Sequence, residues 1–317
     1  MPNSDKNNIM ITGCAGFIGS HATDYFLKNG HYVVGIDCFT YAASHANIQK
    51  AGESPNFKII NENICNTQSI LKICKNYNIG WIFNFAAETH VDNSINSANK
   101  FVESNISGVR SLLDVCKELK IKLFHVSTDE VYGSILEGSS LESDKLDPRN
   151  PYSATKAAAE HLITSYNNTY DIEYIMVRPS NNFGPRQHRE KFLPTIISSL
   201  ITGNKIPVYG DGQQIRDWLY VKDNVRVIYD IWKRSSLNKV YNISFNNEKQ
   251  NIEVVTKVLE IMGKNFNNSV EFVEDRPGHD FRYSVSPLEI KKLGVDMKFD
   301  FDRNLRETVN WYLESKR

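Results

Sequence analysis

The chain has 317 residues, of which 41% are hydrophobic and 23% are charged, as in an ordinary globular protein. Its 37 Lys and Arg residues balance 37 Asp and Glu residues, so the net charge of +0 argues against a nucleic-acid partner and a basic membrane-binding patch. Five cysteines without a C-x-x-C pair, a polar N-terminus and the lack of a membrane-length apolar run predict a cytoplasmic protein with no membrane span and no metal site.

The first half of the chain alternates short apolar runs with helical patterns. Strands are predicted at residues 9–11, 32–36, 57–60, 81–85, 123–126 and 172–177, and helices at residues 17–29, 67–75, 99–119 and 151–170. Such alternation is typical of an α/β fold with a doubly wound parallel sheet. We therefore predict a Rossmann-type domain over residues 1–178.

The texture of the sequence changes after Arg178, with more Pro, Gly and Arg. Short strands are predicted at residues 208–209 and 219–221, and helices at residues 254–262 and 305–312. This pattern predicts a smaller C-terminal substrate-binding lobe over residues 179–317. It leaves open whether some of these elements return to the main sheet.

A glycine-rich turn separates the first predicted strand from the first predicted helix. Three glycines form a G-x-x-G-x-x-G pattern, which lets a pyrophosphate approach backbone N–H groups at the start of the helix. Such a pattern also occurs in plain turns. Here the second strand ends at Asp37, and a carboxylate at that place accepts ribose hydroxyls and repels a 2′-phosphate, unless it is simply a solvated strand end. The predicted cofactor is NAD, bound by Gly13, Gly16, Phe17, Ile18, Gly19 and Asp37.

Two residue pairs after the third and fourth strands extend the predicted cofactor site. Asn63 and Ile64 follow the third strand, where a carboxylate would be the usual acceptor for the adenine amino group, so the amide of Asn63 accepts more weakly. Ala86 and Ala87 follow the fourth strand. Their small side chains suit either a close approach of the backbone to the cofactor or close packing of a helix on a strand, and the two interpretations are compatible.

A Tyr-x-x-x-Lys unit and a hydroxyl beside two acids form the predicted catalytic site. Tyr152 and Lys156 lie one helical turn apart, so the ammonium would favour the phenolate and let the phenol act as a base. Thr128, Asp129 and Glu130 follow the fifth strand. Taken singly, these are also explained by a chance helical pair and by a helix N-cap with acids. Both units follow predicted strands at the carboxyl edge of the sheet, where ligands of such folds bind.

Several segments make the chain resemble the extended short-chain dehydrogenase/reductase family, and within it the nucleotide-sugar 4,6-dehydratases. These segments are residues 85–92, 127–133, 150–157, 178–185, 190–194, 216–221 and 275–280, and the resemblance covers nearly the whole chain. The Thr-Asp-Glu string is the specific part, because related 4-epimerases keep the Tyr and the Lys but usually lack the adjacent acid pair.

The resemblance implies a stepwise reaction on a nucleotide-diphosphate glucose. Tyr152, assisted by Lys156, takes the C4 hydroxyl proton while NAD⁺ accepts hydride from C4, and Thr128 positions that hydroxyl. Glu130 then removes the C5 proton, and protonated Asp129 donates to the departing C6 hydroxyl. Hydride returns to C6 and C5 is reprotonated, so the implied product is a 4-keto-6-deoxy sugar nucleotide, as used in rhamnose or other deoxysugar biosynthesis.

By the same resemblance, the C-terminal lobe binds the substrate, which is dTDP-glucose or UDP-glucose. Arginine forks at Arg216 and Arg276 suit phosphate oxygens, while Pro207 and Tyr209 suit stacking on a base. Each residue also has a plain alternative, such as an ion pair of Arg216 with Asp217. The expected substrate-binding residues are Asn181, Lys191, Phe192, Pro207, Tyr209, Arg216, Asn251, Arg276 and His279.

Two other functions and one assembly question stay open. The first alternative is a 4-epimerase or decarboxylase of the same family, and the second is a non-catalytic NAD- or sugar-sensing protein, against which the intact set of polar side chains argues. Family members are commonly homodimers, which implies a homodimer here through helices near residues 99–119 and 151–170. The apolar stripe of Ile106, Val109, Leu112 and Leu113 faces either the sheet or the partner.

Overall fold

The computed structural model describes residues 8–275 and 280–315. In chain order its strands are β1 (Asn8–Thr12), β2 (Val33–Asp37), β3 (Phe57–Asn61), β4 (Ile79–Asn84), β5 (Lys122–Val126), β6 (Tyr174–Pro179), β7 (Asn181–Phe183), β8 (Ile206–Tyr209), β9 (Ile215–Tyr220), β10 (Lys239–Ile243), β11 (Glu248–Gln250) and β12 (Val270–Val273). Over these described residues, no helix combines the length and the apolar character needed to cross a membrane.

The helices alternate with the strands. In chain order they are α1 (Phe17–Lys28), α2 (His45–Gly52), α3 (Thr67–Asn76), α4 (Val91–Asn96), α5 (Asn99–Phe101), α6 (Gly108–Leu119), α7 (Pro151–Tyr170), α8 (Phe192–Thr202), α9 (Val221–Arg234), α10 (Asn251–Met262), α11 (Phe266–Ser269), α12 (Leu288–Lys292) and α13 (Phe301–Glu314). A π-helical stretch, Val102–Ser107, joins α5 to α6, and a 3₁₀ turn, Asp129–Tyr132, follows β5.

Seven strands form one parallel sheet in the order β10-β6-β5-β4-β1-β2-β3. The strand order reverses between β1 and β4, and the carboxyl ends of all seven strands meet at one edge. In such sheets this switch point is where ligands bind. The predicted Rossmann-type α/β fold is confirmed, and every strand predicted in the first half of the sequence lies in this sheet.

Both faces of the large sheet are buried, because successive side chains of a strand point to opposite sides. On β1, Ile9 and Ile11 join the core beneath α1 and α9, whereas Met10 joins the core beneath α3, α6 and α7. Val109, Leu112 and Leu113 of α6 lie in this second core and are at most 1% exposed. Three of the four residues of the predicted apolar stripe therefore face the chain's own sheet, whereas Ile106, in the π-helical stretch, is half-buried and outside this core.

The second half of the chain builds a smaller unit with its own core. β11, β9 and β7 form one small sheet, and β12 pairs with β8 in another. Helices α8, α10 and α13 cover them, with Ile197, Val255 and Leu305 fully buried between.

Part of the second half returns to the large sheet. Strand β10 pairs in parallel with β6, and α9 packs beside α1 on one face of the sheet. The strand predicted at residues 219–221 is corrected at its end, because β9 stops at Tyr220 and Val221 begins α9. A short apolar run does not distinguish a strand from the first turn of a buried helix.

Candidate active site

A cavity of about 520 Å³ opens at the carboxyl edge of the large sheet. Its walls are the turns that follow β1, β2, β3 and β4, the end of β5, the first turns of α7, part of residues 100–104 and part of the segment before α8. Every residue predicted to bind the cofactor lines it, namely Gly13, Gly16, Phe17, Ile18, Gly19, Asp37, Asn63, Ile64, Ala86, Ala87, Tyr152 and Lys156.

The glycine turn after β1 has no room for side chains. Gly13 has a φ of +67°, which L-residues rarely adopt, and a Cβ there would lie 2.8 Å from the backbone nitrogen of Ala86. A Cβ on Gly19 would overlap the carbonyl oxygen of Gly13. The backbone therefore lies bare at the start of α1, where N–H groups and the helix dipole favour a phosphate. This surface fits the pyrophosphate of a dinucleotide.

Asp37 is held against the glycine turn at the end of β2. Its Oδ2 accepts from the backbone nitrogen of Ala15 at 2.9 Å, and its Oδ1 accepts from that of Phe39 at 2.8 Å. Burial raises the pKa of Asp37, while these two hydrogen bonds oppose the rise. Each carboxylate oxygen keeps a lone pair for a further donor, as the ribose hydroxyls require.

Asn63 uses its side-chain oxygen to shape its own turn. Oδ1 accepts from the backbone nitrogen of Cys65 at 2.9 Å, and the Asn63 backbone nitrogen donates to Oε1 of Glu62 at 2.9 Å. The oxygen expected at the adenine amino group is thus already engaged once. Asn63 nevertheless lines the cavity beside Ile64, as expected.

Helix α7 begins at a well-formed cap, which fixes where its catalytic side chains stand. Oδ1 of Asn150 accepts from the backbone nitrogen of Ser153 at 2.9 Å, and Oγ of Ser153 accepts from that of Asn150 at 3.2 Å. Pro151 occupies the first turn, where its missing N–H is not needed. Tyr152 and Lys156 are consequently presented, almost fully buried, to one wall of the cavity.

The Tyr152 phenol and the acids after β5 share one site. Burial raises the pKa of Tyr152, the charge of Glu130 raises it further, a hydrogen bond with Thr128 opposes the rise, and Asp129 adds to it. These influences place the hydroxyl of Thr128 and both carboxylates around the phenol. The predicted catalytic residues Thr128, Asp129, Glu130 and Tyr152 are therefore near one another, although of these four only Tyr152 lines the cavity of about 520 Å³.

The ammonium of Lys156 points to the end of strand β5. Its Nζ donates to the carbonyl oxygen of Val126 at 2.7 Å. Burial lowers the pKa of Lys156 to about 8, and the carboxylate of Glu160 opposes that fall. The sequence predicted a lowered pKa for Tyr152, and this prediction is wrong. The ammonium of Lys156 donates to Val126, while burial and two acids raise the pKa of the phenol.

Asp129 and Glu130 sit on the 3₁₀ turn after β5. Thr128 caps this turn, its Oγ1 accepting from the backbone nitrogen of Glu130 at 3.3 Å. Burial, the charge of Glu130 and the charge of Asp217 hold the pKa of Asp129 well above its ordinary value, and Arg216 opposes them only partly. Asp129 is 3% exposed, whereas Glu130 is half-buried. The two neighbouring acids therefore differ in environment, and Asp129 keeps its proton to a higher pH than an ordinary aspartate does.

Arg216 enters the site from the smaller unit. From β9 its Nη2 donates to the carbonyl oxygen of Asp280 at 2.9 Å, and its guanidinium lies 4.4 Å from the ring centre of Tyr283. The predicted alternative of an ion pair with Asp217 does not describe this geometry, because adjacent residues of a strand face opposite sides. Asp217 accepts instead from Ser244 and from the backbone of Asn247.

The other predicted substrate residues are spread over the smaller unit. Asn181 lies on β7, and its Oδ1 is buried without a hydrogen-bond partner among the described residues. Lys191 lines the cavity and donates to the carbonyl oxygen of Thr89 at 2.8 Å. Phe192 packs against Trp218 with ring centres 5.7 Å apart.

The remaining predicted residues lie further along the chain. Pro207 and Tyr209 are both exposed on one face of β8, and Asn251 begins α10. The predictions for Arg276 and His279 fall outside the described residues.

Sequence reasoning missed several residues of the cavity. Tyr41 donates to Oε1 of Glu190 at 2.9 Å and packs edge-on against His188, which ties the loop after β2 to the segment before α8. No local pattern signals this contact, because the partners lie far apart in the chain.

Asn105 was also missed. It lies buried in the π-helical stretch, where its amide exchanges hydrogen bonds of 2.9 and 3.0 Å with the backbone of Glu88 and so shapes the turn after β4. A polar residue on the buried face of a helical pattern was an available signal for this role.

Comparison with known proteins decides the family. The sequence model of the family described as GDP-mannose 4,6 dehydratase matches residues 10–308. The chain belongs to this family. The resemblance to nucleotide-sugar 4,6-dehydratases inferred from the motifs is thereby confirmed.

Similar proteins match over nearly their whole length. The chain is 41% identical over 308 residues to the low-salt glycan biosynthesis protein Agl12 of Haloferax volcanii, covering 96% of this chain and 98% of that protein. It is 38% identical over 330 residues to the dTDP-glucose 4,6-dehydratase of Haemophilus influenzae, with 96% and 98% covered. The crystal structure of DesIV, the dTDP-glucose 4,6-dehydratase of Streptomyces venezuelae with NAD bound, has a TM-score of 0.93 at 36% identity, covering 98% of each chain.

Proposed function

We propose that this chain is an NAD-dependent nucleotide-diphosphate-glucose 4,6-dehydratase, a hydro-lyase that acts on dTDP-glucose or UDP-glucose. The observation that carries the proposal is the convergence of Tyr152, Asp129 and Glu130, in which each carboxylate shifts the pKa of the phenol. Dehydratases among the similar proteins support it, since their sequences align along almost the whole chain.

The cavity fits NAD. The bare backbone at Gly13 and Gly19 would take the pyrophosphate, and Asp37 would take the ribose hydroxyls and disfavour a 2′-phosphate. When bound, NAD would supply the acceptor for hydride from C4 of the sugar and return that hydride to C6. All other steps are proton transfers that fall to the protein.

Three side chains divide these proton transfers. Tyr152, as the phenolate, takes the C4 hydroxyl proton, and Thr128, whose hydroxyl interacts with the phenol, positions the C4 hydroxyl. The ketone formed at C4 acidifies the C5 proton, which Glu130 removes. Asp129 then donates its proton to the departing C6 hydroxyl, which leaves as water, and Glu130 returns its proton to C5 as hydride reaches C6.

The acid pair is suited to this division because its members differ in environment. Asp129 is almost fully buried, and both burial and the neighbouring charge of Glu130 raise its pKa, so it is poised as an acid. Glu130 is half-buried beside it. An epimerase or decarboxylase of the same fold would have no use for a protonated acid next to a base at C5 and C6.

Replacing Glu130 by Gln separates these reactions. Loss of a general base should lower kcat for the 4-keto-6-deoxy product by roughly 10²- to 10⁴-fold. Product would be followed by mass spectrometry with dTDP-glucose and with UDP-glucose, and Glu137→Gln on the same connecting segment is an exposed control. An epimerised sugar from the parent chain, made equally well by the Glu130→Gln variant, would refute the dehydratase proposal.

The same geometry supports a division of roles along the chain. We propose that residues 1–178 hold NAD and carry the catalytic side chains, while residues 179–317 mainly bind the nucleotide sugar. Asn181, Arg216 and Lys191 are assigned to its diphosphate, Pro207 and Tyr209 to its base. Helix α9 and strand β10 are exceptions, because they complete the large sheet.

We also propose a cytoplasmic homodimer, formed through the outer faces of α6 and α7. Val102, before α6, is 45% exposed, and Tyr170, at the end of α7, is 38% exposed. Arg110, Asp114 and Tyr166 form a linked polar row between the two helices. Sedimentation of the intact chain tests this assembly, and a concentration-independent monomer would reject it.

A further inference from the structure

An ion pair lies in the interior behind the proposed acids. Nη2 of Arg178, on β6, donates to Oε2 of Glu160, on α7, at 2.6 Å, and Nε donates to both carboxylate oxygens at 3.1 Å. The two side chains are 6% and 3% exposed. Neither is part of the cavity wall formed by the described residues. Because burying two charges is costly, such a pair is expected to serve something more than stability.

The pair is hydrogen-bonded to both sides of the acids. Ser127, immediately before Thr128, donates from Oγ to Oε1 of Glu160 at 2.5 Å. Nη1 of Arg178 donates to the hydroxyl of Tyr132, the last residue of the 3₁₀ turn. We call Ser127, Glu160, Arg178 and Tyr132 the bracket, since these four side chains enclose residues 128–131 from both ends.

The bracket is anchored at its far side as well. The hydroxyl of Tyr132 donates to Oδ1 of Asn242 on β10 at 2.9 Å, and the guanidinium of Arg178 lies 4.8 Å from the centre of the Tyr132 ring. Tyr132 therefore has both hydroxyl functions engaged and one ring face covered. The end of the acid-bearing turn is held by β6 and β10 together.

The same helix that carries Tyr152 holds the start of that turn. Glu160 lies about two turns beyond Tyr152 on α7. Between them, Lys156 donates to the carbonyl oxygen of Val126 at 2.7 Å. Two successive residues at the end of β5, Val126 and Ser127, are thus tied to two successive turns of α7. The position of the acids relative to the phenol is set by one rigid helix.

We propose that Glu160 and Arg178 are positioning residues, which through the bracket hold Asp129 and Glu130 at the distance from Tyr152 that elimination requires. The inference rests on the proposed function, in which the phenol works at C4 and the acids work at C5 and C6 of one sugar ring. A displacement of about 1 Å in such an arrangement costs roughly 10²-fold in rate. Glu160 and Arg178 need not touch the substrate to have this effect.

Two variants cut the bracket at opposite ends without removing a charge. Ser127→Ala and Tyr132→Phe each delete one hydroxyl and leave the ion pair of Glu160 with Arg178 in place. Each should lower kcat by roughly 10- to 100-fold and leave KM for the nucleotide sugar nearly unchanged. The kinetic isotope effect of deuterium at C5 should rise, because loss of that proton becomes slower, whereas the effect of deuterium at C4 should not.

A variant that combines Ser127→Ala with Tyr132→Phe tests whether the two ends of the bracket act through the same ion pair. Ser127 and Tyr132 are joined through Glu160 and Arg178, so the combined loss should be smaller than the product of the single losses. Ser111→Ala is a matched control, because it deletes a buried serine hydroxyl that accepts from Thr67 at 2.9 Å on α6, away from the cavity. It should lose stability without losing kcat.

The outcomes separate this inference from the proposed function. Failure of the parent chain to dehydrate either sugar would reject the function itself. A parent that dehydrates, with both hydroxyl variants within about twofold of it in kcat and destabilised like Ser111→Ala, would overturn the positioning role. A loss that appears only as weaker NAD binding in Ser127→Ala, measured by calorimetry, would overturn it too, because Ser127 also lines the cofactor cavity.

Discussion

The two walls of the proposed active site are built in different ways. The cofactor wall consists of turns that each follow a strand of one parallel sheet directly, and its central feature is bare backbone at Gly13 and Gly19. The substrate wall gathers single side chains from β7, β8, β9 and the starts of α8 and α10, which belong to two smaller sheets and their helices. A site made of backbone is specified by a few adjacent residues, whereas a site made of side chains depends on how distant elements pack.

Substitutions in the cofactor wall should have the largest effect on ligand binding. Gly19→Ala places a Cβ on the carbonyl oxygen of Gly13, and neither backbone can move without disturbing the start of α1. Overpacking of this kind costs about 1–3 kcal/mol, so NAD affinity should fall roughly 10- to 100-fold, as measured by calorimetry.

Gly52→Ala in α2 is the control, because no atom of residues 8–275 or 280–315 lies within 4 Å of its added Cβ, apart from its chain neighbours and its own helix backbone. This variant should bind NAD normally. Equal NAD affinity of Gly19→Ala and the parent chain would show that the cofactor does not approach this turn closely. The proposed difference between the two walls would then be wrong.

A substitution in the substrate wall should weaken binding of the sugar nucleotide and leave NAD binding unchanged. Arg216→Lys keeps the charge but loses the fork that now meets the carbonyl oxygens of Ile215, Asp280 and Phe281. Loss of charge-assisted hydrogen bonds worth about 1.5–3 kcal/mol should raise KM for the sugar nucleotide roughly 10- to 100-fold, with NAD affinity unchanged. Arg226→Lys is the control, because Arg226 is a half-buried arginine of α9 that does not line the cavity. A parallel loss of NAD affinity would mean that Arg216 supports both walls.

Local sequence patterns were enough for the cofactor wall. Gly13, Asp37 and Ala86 each follow a predictable buried strand, and parallel strands bring their carboxyl ends to one edge whatever the rest of the chain does. The same logic placed Thr128 and Tyr152 together. For this reason the fold class and most of the cofactor wall are predictable from the order of strands and turns in the sequence.

Packing between distant segments was not accessible in the same way. Strands β7 and β11 have three residues each, too few to show a period, and α8 carries Pro194 in its first turn, which obscures its helical pattern. The bond of Tyr41 with Glu190 joins segments with no shared motif. The direction of the pKa shift at Tyr152 depended on where Lys156 points, which spacing alone does not determine.

Lys156, which lies between the cofactor wall and the catalytic acids, changes its charge in the neutral pH range. Lys156 is a cation only while protonated, and burial lowers its pKa to about 8 despite the opposing charge of Glu160. Another titratable neighbour is His125 of β5, whose own pKa burial and Lys156 hold well below the ordinary value, so it stays neutral. If the ammonium is required, kcat/KM should fall with a one-proton slope as pH rises through about 8. A flat profile between pH values of roughly 7 and 9 would show that the charge of Lys156 is dispensable.

The smallest effect concerns the adenine end of the cofactor wall, where the sequence departs from the expected acid. Asn63→Asp keeps the oxygen that accepts from the backbone nitrogen of Cys65 and turns the amide nitrogen into a second acceptor. A stronger acceptor for the adenine amino group should tighten NAD binding by roughly two- to fivefold, whereas Asn61→Asp, on the exposed end of β3, should not. Unchanged or weaker binding of Asn63→Asp would mean that this residue only shapes its turn. The cofactor wall would then bind NAD through its backbone even at the adenine end. The contrast between a cofactor wall made of backbone and a substrate wall made of side chains would be stronger than the residue types suggest.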